Sequence, residues 1–419
     1  MSKKSRSYPR RRLHYAWVIL IVGVAVTFTS VGVARFGYTP VLPAMQSDLG
    51  LNNTEAGAIA TATMVGYLLL SAIGGAFASR FGPRRVIGAG LAIAGGSMLM
   101  TGLADGFEAA AAWRTLTGVG SGASNIPVMA LMAAWFTPRK RGLAAGIVVA
   151  GSAGGLIFVG PLVPRILDIY GTGGWRICWF IFGTLTLLAA VLSLILLRNR
   201  PADKGLNPLG AAGTGPQSDP GPLRWVNVYR SRRVWHLGLV YIAFGFAYII
   251  YLTFFVKYLI AEAGYTPAAA GDLFMLMGWV SLLCGLIWGA VSDRFGRRAA
   301  LIGVYLVHTL SFALFAFRPG TGGLIISALL FGLSAWSIPA IMAAAAGDLL
   351  GPRLAPAGLG FLTLFFGVGQ ALGPSAGGII GDAAGSLRPA FLTAAAVSLL
   401  GVLGASFLRP VSKRRTRPG

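Results

Sequence analysis

Twelve long apolar runs divide this chain, and they constrain its fold more than any other feature. A helix needs ~20 mostly apolar residues to cross ~30 Å of hydrocarbon. The chain is 55% hydrophobic and only 11% charged, whereas a soluble domain carries about 25% charged residues. We therefore predict an all-α membrane protein with twelve transmembrane helices, over approximately 16–42, 55–78, 86–103, 109–136, 142–164, 174–197, 234–260, 270–291, 299–317, 322–347, 358–381 and 389–408.

The basic residues indicate which way these helices cross the membrane. The formal net charge is +23, which alone would also suit a nucleic-acid binder. The basic residues form short clusters between apolar runs, however, and 28 of the 35 fall on one side if the amino terminus is cytoplasmic. Basic loops remain on the cytoplasmic side. We therefore expect a multi-pass inner-membrane protein with both termini cytoplasmic and no nucleic-acid partner.

Three landmarks recur with one spacing and indicate a duplication. A Gly-Ala pair before a basic loop appears at 75 and 289, Ile-Pro at 126 and 338, and Gly-Pro at 160 and 373, with offsets of 214, 212 and 213 residues. Two parallel six-helix halves are typical of one large class of transporters. We expect a basic tail (1–14), a first half (15–197), a cytoplasmic central loop (198–233), a second half (234–408) and a basic tail (409–419).

Few residues are suited to catalysis or metal binding. Cys178 and Cys284 both lie in apolar runs, and there are three histidines in the chain. These residues form neither a disulfide framework nor a metal-ligand spacing. A membrane-embedded enzyme would need a nucleophile with its base or a metal cluster, so we expect neither enzymatic activity nor a metal or cofactor.

The repeated basic loop carries the most specific motif. GAFASRFGPRR at 75–85 corresponds to GAVSDRFGRR at 289–298, and both resemble the loop signature of the major facilitator superfamily. Small glycines permit close helix contact or tight turns, while the arginines could reach helix-end carbonyls or a carboxylate across the halves as a latch. The alternative is a loop that serves topology only. The gating candidates are Gly75, Arg80, Gly82, Arg84, Arg85, Gly289, Asp293, Arg294, Gly296, Arg297 and Arg298.

One difference separates the two copies. Ser79 stands in the first where Asp293 stands in the second. We therefore expect the second loop to form the stronger latch.

The remaining motifs agree with this superfamily. RTLTGVGSG at 114–122 resembles its arginine–glycine motif. A nucleotide-binding reading of the same glycines would require a strand and a βαβ unit, which so long an apolar run excludes. RFGYTPVLPAM at 35–45 and GYL at 66–68 resemble the YbfB/YjiJ-type branch, while HYAWVI at 14–19 is similar to the monocarboxylate and oxalate–formate branches. Such families move small organic anions, often carboxylates.

Ionisable residues at membrane depth are costly and indicate function unless they reach the surface. Arg35, Arg114, Lys257 and His308 are the candidates, and the acidic residues of the apolar runs lie near their ends. A cationic path without a carboxylate favours an anionic substrate. Each arginine also has a purely structural reading, since Arg35 could reach outer headgroups and Arg114 could bond to helix ends. The substrate-binding candidates are Arg35, Tyr38, Tyr67, Arg114, Asn125, Tyr251, Trp336 and Gln370.

These observations predict a monomeric carrier of a small, anionic molecule in the lipid bilayer. It would work as a facilitator or linked to protons, by alternating access of the two halves. The alternative is an efflux carrier for amphipathic drugs or metabolites, which a carboxylate in the first or fourth helix would have favoured.

Overall fold

The computed structural model describes residues 14–210, 226–317 and 320–408. The predicted tails, apart from His14, and residues 211–225 of the central loop lie outside the described residues. Helices account for nearly all of the described chain. They are α1 (Ala16–Thr27), α2 (Tyr38–Asp48), α3 (Asn53–Phe81), α4 (Pro83–Gly102), α5 (Phe107–Trp135), α6 (Pro138–Tyr170), α7 (Gly174–Leu196), α8 (Val226–Tyr229), α9 (Arg232–Ala261), α10 (Pro267–Ser281), α11 (Cys284–Phe295), α12 (Arg297–Phe317), α13 (Gly320–Ser334), α14 (Ser337–Ala384) and α15 (Arg388–Ser406).

Within those described ranges, nine helical segments are long and apolar enough to cross a membrane, or up to eleven when two bent pairs each count as one span. Helix α5 is a further segment of 29 residues, rich in Gly, Ala and Ser. At ~1.5 Å per residue its length exceeds the ~30 Å of a bilayer core. The expected all-α fold with twelve spans is therefore confirmed.

The first span is broken in its middle. A π-helical turn over Phe28–Val33 follows α1, and α2 begins only at Tyr38. The sequence predicted one uninterrupted helix over 16–42; instead the helix breaks before Tyr38, and α2 continues to Asp48 with Pro43 inside it. Small residues make the break possible, because Gly32 packs directly on the backbone of Gly155 in α6.

Two other spans depart from simple helices. The tenth is interrupted at Ala335–Trp336, between α13 and α14. Helix α14 then runs through the tenth and eleventh spans, with a kink at Gly351 where φ is +75°. Only glycine adopts such a φ without strain, so the helices of these two spans are joined at one non-helical residue rather than by a loop.

By order along the chain, we call α1–α7 the N-terminal half and α9–α15 the C-terminal half. We call the face at which the described chain begins (His14) and ends (Leu408) the proximal face, and the opposite one the distal face. Helix α3 starts at the distal face with a capping box, in which Asn52 and Glu55 each accept the other's backbone N–H. This start places Asn53 and Thr54 where the C-terminal half can contact them.

Candidate functional site

Arg35 is the central charged residue of the broken span. Its side chain is only 6% exposed, and its guanidinium carbon lies 4.3 Å from the centre of the Tyr67 ring. Its Nη2 donates to the Met64 sulfur at 3.0 Å, a weak acceptor, and its Nε has no hydrogen-bond partner. The hydroxyl of Tyr67 accepts in turn from Asn125 Nδ2 at 2.9 Å. Arg35, Tyr67 and Asn125 therefore form one group in the N-terminal half.

The C-terminal half completes this group. Gln370 on α14 donates a hydrogen bond to the hydroxyl of Tyr248 on α9. The Trp336 ring, at the break before α14, lies 5.3 Å from Phe36 and 6.4 Å from Tyr248. We call Arg35, Tyr67, Asn125, Tyr248, Trp336 and Gln370 the central cluster.

Several polar atoms of this cluster are buried without a partner. They are Arg35 Nε, Trp336 Nε1 and Gln370 Oε1. A buried polar atom left without a hydrogen bond costs about 1–3 kcal/mol. Three such atoms from three different spans, the first, tenth and eleventh, are the arrangement that a polar ligand would satisfy.

An aromatic wall flanks the cluster on the C-terminal side. The rings of Phe244, Tyr248 and Phe366 stack at centroid distances of 4.7–5.8 Å with planes within 16° of parallel. His308 continues the stack, 5.7 Å from Phe244, and is buried. Its neighbours are aromatic, in keeping with a residue that faces adjacent helices.

Arg114 does not join the cluster. It is fully buried, and its Nη1 donates at 2.7 Å to the carbonyl of Ala34, which the broken span leaves free. Its guanidinium lies 4.6 Å from the Trp179 ring and 5.4 Å from that of Tyr38. The hydroxyl of Tyr38 donates to the Ala56 carbonyl. Of the two roles considered for Arg114, substrate binding and bonding to a helix end, the structure supports the second. Arg114 and Tyr38 both stabilise the broken part of the first span, which carries Arg35.

We expect Arg114→Gln to reduce the amount of folded protein rather than substrate affinity. Glutamine is shorter and leaves the Ala34 carbonyl unsatisfied, at a cost of about 1–3 kcal/mol. Thermal unfolding of the purified variant should begin several degrees lower, with little change in apparent KM for the protein that remains. A normal melting curve with a raised KM would contradict this assignment.

Tyr251 also lies away from the central cluster. Its hydroxyl is 2.8 Å from Ser327 Oγ, and its ring is enclosed by the rings of Phe255, Phe312, Phe315, Phe331 and Phe391. It packs the interior of the C-terminal half.

The two halves meet closely at the distal face. Asp382, near the end of α14, accepts from the backbone N–H groups of Asn53 and Thr54 at 3.0 and 2.7 Å, and from the Thr54 hydroxyl at 2.7 Å. Lys257 on α9 donates to Gln46 and to Asn53. A Cβ built on Gly57 would lie 2.2 Å from the carbonyl oxygen of Pro374. This face is therefore closed.

Hydrogen bonds also cross the interface deeper in the membrane. The Thr39 hydroxyl donates to the Leu252 carbonyl, and the Thr61 hydroxyl donates to that of Ala371, each at 2.8 Å. The sequence pattern did not single out these threonines, nor Asp382 as a contact between the halves, because short polar residues on an apolar helix give no directional signal.

The two basic loops lie at the proximal face. Gly82 and Gly296 have φ of +84° and +89°, so the expected tight turns are confirmed. A Cβ on Gly75 or Gly289 would meet nothing within 4 Å. The expectation that these two glycines permit close helix contact is therefore wrong for this conformation.

In the described residues, the second basic loop forms ion pairs and the first does not, in line with Asp293 in one and Ser79 in the other. These ion pairs join residues of the C-terminal half alone. Arg297 contacts Asp293 at 2.7 Å and Asp348 at 2.9 Å, which ties α11, α12 and α14 together. In the first loop, Arg84 donates to the Leu194 carbonyl, and Ser79 bonds only within its own helix. A latch from either loop across the halves is not present in the described residues.

We expect Asp293→Asn to impair transport more than Ser79→Ala. The first change removes a carboxylate from the Arg297 network, whereas the second removes one bond inside a helix. For exposed ion pairs the expected loss is ~1 kcal/mol or less, so the rate should fall a fewfold. Uptake by equal amounts of each variant in proteoliposomes measures this, and equal rates would show that the loops serve topology only.

Comparisons with known proteins agree with this architecture. The model of the family described as "Uncharacterised MFS-type transporter YbfB" matches residues 27–405. The chain is 23% identical over 385 residues to the hexuronate transporter of Bacillus subtilis (strain 168), covering 88% of this chain and 89% of that protein. It is 24% identical over 409 residues to the oxalate:formate antiporter of Oxalobacter formigenes, covering 95% and 93%.

Among solved structures, the chain resembles an inward-facing, unoccupied bacterial homologue of the human lysosomal transporter Spinster. The TM-score is 0.74 at 18% identity, over 95% of both chains. This likeness concerns the fold.

Proposed function

Because this chain belongs to the YbfB-type family of major facilitator superfamily transporters, we propose that it carries a small organic anion, a carboxylate in particular, by alternating access. The chain is a multi-pass membrane transporter of a small molecule rather than an enzyme. Two of its relatives are named for the carboxylates hexuronate, oxalate and formate. The anionic substrate, the direction and the mechanism are the proposal.

The observation that carries this proposal is the buried, unneutralised guanidinium of Arg35. In the described part of the chain, the ion pairs are Arg176–Asp48, Arg297–Asp293 and Arg297–Asp348, all at helix ends. Arg35 is held instead by a sulfur and by aromatic faces. A buried cation without a counter-ion is costly, and a substrate carboxylate would supply one through two parallel hydrogen bonds.

The position of Arg35 also suits alternating access. It comes from the N-terminal half, and the ring of its neighbour Phe36 lies 5.3 Å from that of Trp336 in the C-terminal half, so an anion bound there would touch both. Because the distal face is closed, the substrate would enter this conformation from the proximal face. Binding that draws the halves together around the anion would favour opening at the other face.

Uptake into proteoliposomes tests the proposal. Labelled monocarboxylates and dicarboxylates would be offered with and without a pH gradient across the membrane. We expect saturable uptake of at least one carboxylate, inhibited by others, and the gradient would separate a facilitator from a proton-linked carrier. Transport of lipophilic cations with no response to any carboxylate would replace this proposal by the efflux alternative.

We further propose that the proximal face is cytoplasmic and that the halves span 15–197 and 234–408. By the order of the spans in the sequence, 28 of the 35 basic residues would fall on that side, and basic loops remain in the cytoplasm. The tails and the middle of the 198–233 loop would then share the cytoplasm with the two repeated basic loops.

Single cysteines should report this topology. In a background with Cys178→Ala and Cys284→Ala, we expect Ser5→Cys and Ser218→Cys to resist membrane-impermeant thiol reagents in intact cells. Thr172→Cys, in the exposed turn between α6 and α7 at the distal face, should react readily. Labelling of Ser5→Cys from outside would reverse the orientation.

A further inference from the structure

A large basic cavity lies at the proximal end of the C-terminal half. Its volume is about 1500 Å³, and it is lined by the start of α9, the α11–α12 turn, the kink of α14 and the end of α15. Arginines dominate its charged lining, and the acidic residues there are Asp293 and Asp348. The arginines concerned are Arg232, Arg233, Arg294, Arg297 and Arg298.

Most of this positive charge is not neutralised by the protein. Asp293 and Asp348 both bind Arg297. In the described ranges, the side chains of Arg232, Arg233 and Arg298 take part in no ion pair or hydrogen bond, and that of Arg294 lies only against the Phe295 ring, at 5.5 Å. Four guanidinium groups around one cavity therefore remain available to an anion.

The corresponding place in the N-terminal half is filled by the protein itself. Residues 198–210 cover that end: Leu209 bonds to the Trp135 carbonyl at 2.8 Å, and Asn199 accepts from the Arg84 backbone at 3.0 Å. The two halves are offset by 212 to 214 residues, so the counterpart of residues 198–210 is the segment 409–419. This segment lies outside the described residues. It has five basic and no acidic residues, so like charge disfavours it as the occupant.

The walls of the cavity indicate an amphiphile. Phe407 is 76% and Phe295 65% exposed, and both line the cavity beside the arginines. Both aromatic side chains lie at helix ends, Phe295 at the end of α11 and Phe407 directly after α15. A free inorganic anion would use the guanidinium groups but leave the apolar surface uncovered.

We propose that this cavity binds the phosphate headgroup of an anionic phospholipid, with the acyl chains against Phe295 and Phe407. Arginine pairs with phosphate through two hydrogen bonds, and basic pockets between spans on the cytoplasmic side are suited to such headgroups. The site is separate from the central cluster and independent of the transported substrate.

Lipid retention by the full-length purified protein tests the site. Native mass spectrometry would compare binding of phosphatidylglycerol and phosphatidylcholine to the wild type, to an Arg232→Gln/Arg233→Gln variant and to an Arg80→Gln/Arg85→Gln control. Each cationic contact contributes ~1 kcal/mol, so we expect the first variant to bind phosphatidylglycerol about thirtyfold more weakly. The control, changed at the loop of the other half, should bind as the wild type does.

Two further arms separate the alternatives. Arg298→Gln alone should bind phosphatidylglycerol about fivefold more weakly than the wild type. This single variant keeps the test valid if the double variant folds poorly. Inorganic phosphate at the same concentration should not displace the lipid. Equal retention by all variants, or complete displacement by inorganic phosphate, would overturn the proposal.

Discussion

Arg35→Gln is expected to abolish carboxylate transport in a protein that folds normally. Glutamine removes the positive charge on which we propose the anion binds. Removing one partner of a buried, hydrogen-bonded charge pair costs about 2–5 kcal/mol, so kcat/KM should fall at least about thirtyfold. Because Arg35 has no ion partner in the protein, its loss should leave the melting temperature at or above that of the wild type.

Two matched variants define this test. Arg35→Lys keeps the charge but loses the planar guanidinium that holds two carboxylate oxygens, so it should transport poorly as well. Arg165→Gln removes an exposed arginine of α6 and should transport normally. Transport by Arg35→Gln with unchanged apparent affinity and rate, at normal protein levels, would exclude Arg35 from the substrate site.

Gly57→Val is expected to hold the transporter open at its distal face and so to stop the cycle. The new Cβ would lie 2.2 Å from the Pro374 carbonyl oxygen, which belongs to the opposite half. Overpacking of this kind costs about 1–3 kcal/mol, and the cost falls on the closed state alone. The equilibrium should shift about fivefold or more toward the open distal face, and transport should fall with it.

Distances between spin labels would measure that shift. Labels on Ser47 and Ala268, exposed at the distal ends of the two halves, should move apart in Gly57→Val. Gly75→Val lies on the same helix, where an added Cβ meets nothing within 4 Å, and it should leave the distances as in the wild type. Equal distances in both variants would show that the contact at Gly57 does not limit closure.

Most of the architecture could be predicted from the sequence because the bilayer imposes it. Hydrocarbon requires long apolar helices, and the repeated basic loops revealed the duplication. The breaks were harder to predict. The turn over Phe28–Val33 depends on Gly32 packing against Gly155, two positions that are 123 residues apart in the chain.

The central cluster could be predicted only in part, because its side chains also meet through the packing of helices that are distant in the sequence. Depth along a helix follows from residue number, so Arg35, Tyr67, Trp336 and Gln370 could be named. The direction of a side chain depends on how helices pack. Arg114 and Tyr251 have suitable depths, but one bonds to the carbonyl of Ala34 and the other is enclosed by five phenylalanines.

The contact between Asp382 and the start of α3 has a consequence for turnover. A helix begins with backbone N–H groups that lack partners in the helix, and here the other half supplies the acceptor for two of them. When the halves separate, water can form hydrogen bonds with both the carboxylate and the N–H groups, because Asp382 lies at the surface. An exchange of this kind is nearly balanced in free energy. The closure is then specific in geometry yet shallow in energy, as the proposed alternating access of the two halves requires.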